Sequence, residues 1–588
     1  MTSICSDPEE FAEDQLAGFL DLHADRLSGV TGGVVAHRRG APRVAVVLGG
    51  GSGHYPAFHG LVGPGLASGA VVGNVFTSPS AAHAWSVGKA ADEGRGVVFC
   101  VGRYAGDVMN FGIAVERLRR EGVDARLVLV TDDVASADDV TERRGIAGLL
   151  PVVKALGAAA DEGLDADGVE RAGRDAVAAT RTLGVTFAGC TLPGQAEPLF
   201  RVPAGHLGLG LGIHGEPGIA DVPLPTAGGL ADLLVERVLA ERPDAAGNRA
   251  AVVLNGLGAT GHEELLLLWG LVAARLRAEG LELVAPAVGS FVTSLDMAGV
   301  SLTVTWLDEA LERRWCADAD SPGFQRHSSA LEGLVPAPTA ADAATLDEPP
   351  LAAPPAVALG ATVRELLAEL HRTMVEHEDE LGRIDAVAGD GDHGRGMVKG
   401  TTAAVQRVDA AEGPAGGAWL LGQAGRAWAA RAGGTSGVLW GAALEAAGAS
   451  LTDDRDAYRA DDALAAVQAA ADAIVDLGRA SEGDKTLLDA LLPFLRALRG
   501  ELDGGEPLVD AWAAAAAVAR ASASATARLR PRTGRARPLA EKSLGTPDAG
   551  ATSLALAVGA VGEVLARRAA TADVSDDSLL ATTGRTPA

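Results

Sequence analysis

The pattern of this chain changes across one Pro/Ala-rich stretch, residues 332–358, and that change constrains what it can fold into. Before the stretch, apolar runs of strand type alternate with helical runs. The candidate strands are Arg43–Leu48, Gly96–Gly102, Arg126–Thr131, Val185–Thr191, Leu207–His214, Ala250–Asn255 and Val300–Leu307. Strands alternating with helices predict an α/β sheet whose function sits in the loops after strand ends. A division near residues 185–195 would give two α/β halves. The stretch itself is densest in PAPTAADAATLDEPPLAAPPAV, ending at Val357, and reads as an extended, semi-rigid linker. Beyond it the runs are helical: Thr362–Leu381, Val398–Asp409, Ala418–Arg431, Val438–Ala447, Asp461–Leu477, Lys485–Arg499, Pro507–Ala525 and Gly550–Ala566. They predict an all-α bundle or barrel. With 588 residues the chain is too long for one core. The expected organisation is a multidomain one: an α/β domain over 8–331, the linker 332–358, an all-α domain over 359–568 and a frayed polar tail over 569–588.

Charge and composition exclude several classes of partner. A formal net charge of −27 argues against nucleic acid and against an anionic membrane surface. The four cysteines, Cys5, Cys100, Cys190 and Cys316, are scattered without a C-x-x-C pair, as expected of reduced thiols in a cytoplasmic protein. The N-terminal MTSICSDPEEFAED is acidic and polar and does not read as a signal peptide. No apolar run reaches about 18 residues without a charge or many glycines, so no membrane span is expected.

The densest chemistry lies in Leu381–Met397, LGRIDAVAGDGDHGRGM. Asp385, Asp390 and Asp392 fall within eight positions, interleaved with glycines. Three carboxylates so close repel one another unless a cation sits between them, and hard oxygen ligands suit magnesium or calcium. The glycines let backbone N–H groups approach a phosphate. Together they point to a nucleotide–metal site and to phosphoryl transfer. Gly389, Gly391 and Gly394 also satisfy a dinucleotide G-x-G-x-x-G pattern, but that needs a preceding strand, and here a helical run precedes. An EF-hand needs more oxygen ligands and a glutamate at the twelfth loop position. A solvated acidic turn accounts for neither the glycine spacing nor the helix resuming near Val398.

Three segments of the first domain carry candidate chemistry. Leu48–His59, LGGGSGHYPAFH, follows a buried strand, and Gly49, Gly50, Gly51 and Gly53 read as a loop whose backbone could wrap a polar ligand. The same run would also serve a tight turn needing positive φ. No Lys-Ser/Thr follows, so it is not a P-loop. His54 is either a proton carrier or a packed histidine after a turn. In Leu207–Gly218, LGLGLGIHGEPG, alternating glycines leave one strand face bare for another backbone or a ligand. His214 is then expected to project from the strand end beside a Gly-Glu-Pro-Gly turn. Arg103–Glu116 offers Asp107 and Asn110 between a strand and a helix, with Asp107 a helix cap or a catalytic carboxylate.

Taken together, these segments resemble the dihydroxyacetone kinase family over nearly the whole chain, in its single-chain, ATP-dependent arrangement of a K domain followed by an L domain. The carrying blocks are GGGSGHYPAFHGLVGPG (49–65), GNVFTSPS (73–80), YAGDVMNFGIAVE (104–116), GLGIHGEPG (210–218) and TSLDMAGVSLT (293–303). In the second domain they are DAVAGDGDHGRGM (385–397), GGTSGVLWG (433–441), GDKTLLDALLP (483–493) and GTPDAGATS (545–553). The resemblance implies a ketose-binding α/β K-type domain and a nucleotide-binding L-type domain built as an eight-helix barrel. It implies that His214 traps the ketone as a covalent hemiaminal, that Asp107 activates the reacting hydroxyl and that His54 polarises the trapped oxygen. Gly51, Ser52 and Gly53 are expected to line that pocket through backbone groups. Asp385, Asp390 and Asp392 are expected to hold two Mg2+ ions against ATP, with His393, Gly394 and Met397 following in a phosphate-facing loop. Thr435, Ser436 and Gly437 would supply N–H groups at a helix start. Asp484, Arg535 and Asp548 lie in blocks that approach the nucleotide. Homodimers in which the K domain of one chain faces the L domain of the other are common in the family.

One position departs from the family pattern. Relatives that phosphorylate dihydroxyacetone usually carry lysine where this chain has Gly102, followed by Arg103. Loss of that side chain is expected to open the substrate pocket, and Tyr55 and Phe58 are bulkier than expected there. These changes point to a four-carbon ketose such as erythrulose. Other readings are a phosphotransferase-system component, which would need a separate phosphocarrier chain, cyclisation of FAD to a cyclic FMN at the same nucleotide site, and a non-catalytic regulator. Fusion of both domains favours free exchange with ATP, and retention of His214 with all three aspartates disfavours the regulator. A fatty-acid-binding reading fails because the covalent histidine is kept.

Overall fold

The computed structural model of the chain describes residues 4–38, 40–216, 218–331, 333–335, 348–533 and 536–571. Two compact units result, Met1–Ala337 and Pro338–Ala588. Residues 336–347 of the expected linker, 572–588 of the expected tail, and Arg535 lie outside the described residues.

Unit 1 contains two sheets. The first runs, in spatial order, Leu27–Val30, Gly33–Ala36, Gly69–Val75, Ala45–Ser52, Val97–Gly102 and Ala125–Val130. The last four are parallel, and the first two form an antiparallel hairpin at the edge. Ala45–Ser52 is buried along its whole length because helices cover both faces of a parallel sheet. On one face Val47, Phe99 and Val101 pack on Val87, Phe111 and Leu118 of the helices Ala81–Ala91 and Ala105–Arg120. On the other, Val46, Leu48 and Val98 share a core with the helices Leu149–Asp161 and Ala166–Ala178 and with Ala251 and Val253 of the second sheet.

The second sheet is centred on three antiparallel strands, Arg249–Gly256, Ala298–Trp306 and Thr180–Ala188, with His206–Leu209 and Ala220–Pro223 at one edge. Its other face packs under the helices Ala227–Leu239 and His262–Ala278. The change of sheet falls at Thr180, ahead of the expected 185–195, because the strand starts directly after a helix. The edge hairpin and Gly69–Val75 were not anticipated. Their glycines read as turn signals, yet Gly33 is needed in a strand, since a Cβ there would lie 2.1 Å from the Ala70 carbonyl oxygen. The strand expected over Leu207–His214 stops at Leu209, where Gly210 takes a φ of +70°. His214 therefore stands on a loop, five residues past the strand.

At the end of Arg249–Gly256, Asn255 is fully buried. Its Nδ2 donates to Val292 O (2.8 Å) and Ser301 Oγ (3.1 Å), and its Oδ1 accepts from the backbone N–H groups of Phe291 (2.7 Å) and Val292 (3.0 Å). One amide thus fixes the turn that leads into Thr293.

Unit 2 is all-α among the described residues. Eight long helices, Pro354–Glu376, His393–Asp409, Gly417–Ala432, Gly434–Leu451, Ala460–Gly478, Leu488–Asp503, Leu508–Ala525 and Ala549–Thr571, account for the eight helical runs. Two short ones, Glu378–Asp385 and Ala540–Ser543, are interspersed. Each long helix packs on the next in chain order, and the last packs on the first. The first helix begins inside the stretch read as linker, because prolines at its first positions already have a helical φ and need no N–H donor. The second long helix begins at His393, not near Val398, so His393, Gly394 and Met397 lie on a helix and not in a loop. Ala549–Thr571 is long and apolar enough to cross a membrane by length and composition, but Ala551, Leu554 and Val558 pack in the core of unit 2.

Asn255→Ala should leave two buried N–H groups without their acceptor and lower the stability of unit 1 by about 3 kcal/mol, measured by chemical denaturation.

Candidate active site

In unit 1 three separated segments meet at a small cavity of about 30 Å³ lined by Gly51, His54, Gly102, Asp107, Ile146 and His214, among others. His54 follows the strand Ala45–Ser52, Asp107 sits in the first turn of Ala105–Arg120, and His214 comes from the loop after His206–Leu209. His54 Nε2 and His214 Nε2 face each other at 3.0 Å. His54 Nδ1 donates to Thr293 O (2.7 Å), and His214 Nδ1 donates to Glu216 Oε1 (2.9 Å). With both Nδ1 atoms carrying hydrogen, the facing Nε2 atoms have room for one shared proton. Phe76, with a left-handed φ of +55°, stacks on His54 with ring centroids 5.1 Å apart. Phe76 and Tyr104 meet the His214 ring edge-on at 5.2 and 4.9 Å.

Burial drives His54 down to about 3, with the neighbouring His214 acting in the same direction. Burial opposes ionisation of Glu216, but its bonds to the His214 imidazole and to backbone N–H groups outweigh that and hold it at about 2. Burial raises Asp107, while a hydrogen bond from Ser78 Oγ (2.6 Å) to its Oδ1 works against the rise. Asn110 donates in turn to Ser78 Oγ at 3.3 Å. Asp107 is not the helix cap: Tyr104 holds that position. A carboxylate with a raised pKa beside two imidazoles, one held neutral, can accept and return protons at a bound hydroxyl.

Several expected pocket residues take other roles. Gly49 and Gly50 lie inside the strand, not in a loop, and their bare Cα atoms admit the rings of Phe111 and Phe58, each 2.3 Å from where a Cβ would stand. Gly51 lines the cavity, but Ser52 Oγ donates to Gly73 O (2.7 Å) and turns away from it. Of the four glycines only Gly53 has a positive φ, +100°, and its carbonyl accepts from Leu295 N (2.7 Å). Gly102 lines the cavity, yet no void opens beside it, because the Tyr104 ring lies 2.9 Å from where a Cβ would be. Arg103 points elsewhere, pairing with Glu142 at 2.6 Å. Phe58 lines the cavity, whereas Tyr55 packs towards Phe19 and His59. Glu216, Tyr104, Phe76 and Thr293 were missed individually, although each lies in one of the quoted sequence blocks or its turn.

In unit 2 a cavity of about 320 Å³ is lined by Asp385, His393, Thr435, Ser436, Lys485 and Asp548, with an apolar wall that includes Leu439, Ile474 and Leu487. Asp385 ends the helix Glu378–Asp385 and organises the next turn: its Oδ2 accepts from Gly391 N (2.8 Å) and Asp392 N (3.1 Å). Carboxylate oxygens of Asp385, Asp390 and Asp392 lie within 4.8 Å of one another. Three converging hard oxygen donors, two of them exposed, fit a divalent cation such as Mg2+. Thr435 and Ser436 occupy the first turn of Gly434–Leu451, whose backbone N–H groups have no capping side chain. Gly433 and Gly434, with φ of +63° and +59°, make the reversal that exposes this helix end. His393 Nε2 donates to Ser553 Oγ (2.9 Å). Burial raises Asp548 to about 6, with Asp489 adding to the rise, and its carboxylate accepts from Ala551 N (2.7 Å).

Gly394 and Met397 do not line this cavity. A Cβ on Gly394 would lie 2.0 Å from Glu378 O, so its role is close helix packing, and Met397 is buried in the core. Gly437 is buried against Ala432. Asp484 accepts from Ser481 N (2.8 Å) and stands outside the lining, while its neighbour Lys485 lies in it. Lys485 has a φ of +62° and donates to Ser543 O at 2.7 Å. Burial lowers its pKa, with Asp548 opposing. It was overlooked, although it is the one lysine of the GDKTLLDALLP block.

Family models match both units. The Dak1 domain matches residues 17–323, and the DAK2 domain matches residues 387–563. The chain is 55% identical over 567 residues to the D-erythrulose kinase of Mycolicibacterium smegmatis, spanning 95% of this chain and 97% of that one. It is 48% identical over 575 residues to the L-erythrulose kinase of Pectobacterium atrosepticum, spanning 96% and 97%. The crystal structure of the dihydroxyacetone kinase from C. freundii in complex with AMP-PNP and Mg2+ has a TM-score of 0.57 and 29% identity, over 95% of this chain and 99% of that one. The chain belongs to the dihydroxyacetone kinase family. It is accordingly a phosphotransferase that acts on an alcohol group.

In the unfolded chain His54 titrates near 6.5, whereas the native ring stays neutral down to about 3. Below pH 6.5 the unfolded state binds a proton that the native state refuses, so stability is full above that pH and falls as the pH drops. Between pH 7 and pH 5 His54 should remove about 2 kcal/mol. Buried His59, held at about 4, acts in the same direction. Chemical denaturation at the two pH values should show His54→Gln losing about 2 kcal/mol less than the wild type.

Proposed function

We propose that this chain is an ATP-dependent kinase that phosphorylates a terminal hydroxyl of a short ketose, with erythrulose as the preferred substrate, held as a hemiaminal on His214. The observation that carries the reading is the pairing of His214 and His54 through their Nε2 atoms at 3.0 Å, on a cavity that Asp107 also lines. Glu216 keeps hydrogen on His214 Nδ1, so the Nε2 lone pair is available for a carbonyl carbon. As the N–C bond forms, the carbonyl π pair moves to oxygen, which takes up a proton from solvent, and the neutral His54 Nε2 accepts a hydrogen bond from the hydroxyl so formed. The ring then carries positive charge, and ionised Glu216 offsets it. A carbon bonded to His214 Nε2 is incompatible with a 3.0 Å contact to His54, so the two rings part when substrate is trapped. Asp107 accepts the proton of the hydroxyl that attacks the γ-phosphate. Glycerol has no carbonyl to trap and is excluded. The relatives that act on D- and L-erythrulose, matched over nearly the whole chain, support the four-carbon ketose.

In unit 2, Asp385, Asp390 and Asp392 would hold two Mg2+ ions, which supply charge neutralisation at the phosphates when bound. The N–H groups of Thr435 and Ser436 face phosphate oxygens, as a bare helix N-terminus does. Lys485 adds a cation, and the wall of Leu439, Ile474 and Leu487 suits the adenine ring. Unit 2 is read as a closed eight-helix barrel, with the ketose-binding domain over 8–331 and the nucleotide-binding domain over 359–568. A cytoplasmic homodimer, the ketose domain of one chain facing the nucleotide domain of its partner, completes the proposal.

With magnesium and ATP, one erythrulose enantiomer should be turned over with a kcat/KM at least about tenfold above that for dihydroxyacetone, and glycerol should be inert. Equal or better efficiency with dihydroxyacetone would discard the tetrulose assignment. Silence with every ketose would discard the kinase reading and direct the assay to FAD cyclisation.

His214→Ala should raise the ketose KM by about 100-fold with the Kd for Mg-ATP unchanged. Asp390→Ala should do the reverse, weakening Mg-dependent nucleotide binding about tenfold or more. Normal Mg-ATP binding by Asp390→Ala, read by calorimetry, would remove the metal assignment.

A further inference from the structure

Behind His214 lies a charged network in which Arg144 and Asp133 fall outside the family blocks. Arg144 is largely buried. It donates to Asp133 Oδ2 through Nε (3.1 Å) and Nη2 (2.8 Å), and through Nη2 to Gly210 O (3.2 Å). Its Nη1 lies 3.9 Å from Glu216 Oε2. That same Oε2 accepts the backbone N–H of His214 (2.9 Å), while Oε1 accepts His214 Nδ1. Asp133 is buried and accepts a further bond from Ala135 N (3.1 Å).

The segment that carries Arg144 is itself pinned. Buried Asp132 accepts from Ile146 N (2.8 Å) and Gly148 N (2.7 Å), and Tyr104 Oη donates to Gly145 O (3.0 Å). Gly212 is the sequence signature of the arrangement: a Cβ there would lie 2.1 Å from Glu216 Oε2 and 2.5 Å from Arg144 Nη1. Gly212, one of the glycines of the 207–218 block, thus makes room for an ion pair.

We propose that Arg144 is a positioning residue, clamping Glu216 and the Gly210 carbonyl so that His214 keeps its hydrogen on Nδ1 and presents the Nε2 lone pair to the ketose. The inference rests on the reading of His214 as the trapping group. Without the guanidinium, the Asp133 and Glu216 carboxylates would face each other across a poorly solvated gap, and Glu216 would swing away from the ring. Guanidinium is the group that fits, since its planar fork reaches two carboxylates and a carbonyl at once, whereas an ammonium is a single point charge.

The test uses the full chain labelled with 15N-histidine, without ketose, at a pH where the His214 ring is neutral. Long-range 1H–15N correlation spectra separate the two tautomers, and His214→Ala assigns the signal. The wild type should show the Nδ1–H form. Arg144→Met should give a substantial Nε2–H population and a ketose KM raised about tenfold or more, with the KM for Mg-ATP unchanged. Arg144→Lys should fall between the two. A wild-type tautomer and wild-type ketose KM in Arg144→Met would overturn the proposal. So would a loss of thermal stability in Arg144→Met with no change in tautomer, which is the behaviour of a purely structural arginine. Should Arg144→Met not fold, Arg144→Lys and Asp133→Asn carry the same readout. If His214→Ala keeps the wild-type ketose KM, the trapping reading fails, and the tautomer spectra still decide whether Arg144 orients the ring.

Discussion

The hydrogen bond from His214 Nδ1 to the Glu216 carboxylate is the interaction on which the chemistry of unit 1 depends. It fixes which nitrogen of the ring faces the cavity, and it keeps a negative charge where a ketone trapped on the ring, as proposed, would make it positive. The bond persists because Glu216 stays ionised despite partial burial, held by the imidazole and by backbone N–H groups. Opposite it, His54 is kept neutral by burial and aimed by the Thr293 carbonyl, which Asn255 fixes from the neighbouring strand. The two imidazoles therefore differ through their surroundings and not through their chemistry.

Close approach, more than loop flexibility, explains the glycines of unit 1. Gly49 and Gly50 let aromatic rings press onto a buried strand, and Gly212 lets an ion pair sit against the loop backbone. Gly53, Gly210 and Gly215 use the left-handed region to turn the chain beside His54 and His214. A rigid, densely packed frame results, and it suits a site that must hold a small molecule against two histidines and one carboxylate.

Unit 2 follows a different logic. Its helices pack through alanine and glycine at close range, which frees helix ends and short turns to gather charge on one cavity. Asp385 bonds the N–H groups of its own acidic turn, which brings the three carboxylates together. A bare helix N-terminus at Thr435 and Ser436 supplies the complementary positive end.

The sequence by itself determined the order of an α/β unit and an all-α unit, all eight long helices of the second, and part of the lining of both cavities, His54, Asp107 and His214 in one and Asp385, His393, Thr435 and Ser436 in the other. It did so because helical periodicity and clustered acidic or glycine-rich blocks are local signals. The glycine-bearing edge strands stayed hidden, since a glycine tolerated for close strand approach looks like a turn signal in one dimension. Tertiary structure alone decided that Arg103 and Asp484 turn away, that Gly394 and Met397 serve packing, and that Tyr104 fills the space beside Gly102. It also brought Glu216 and Thr293 against the two histidines, Arg144 near Glu216, and Lys485 into the lining of the second cavity. Direction and burial of a side chain depend on neighbours distant in sequence, and His54 and His214, 160 residues apart, meet only when two sheets share one core.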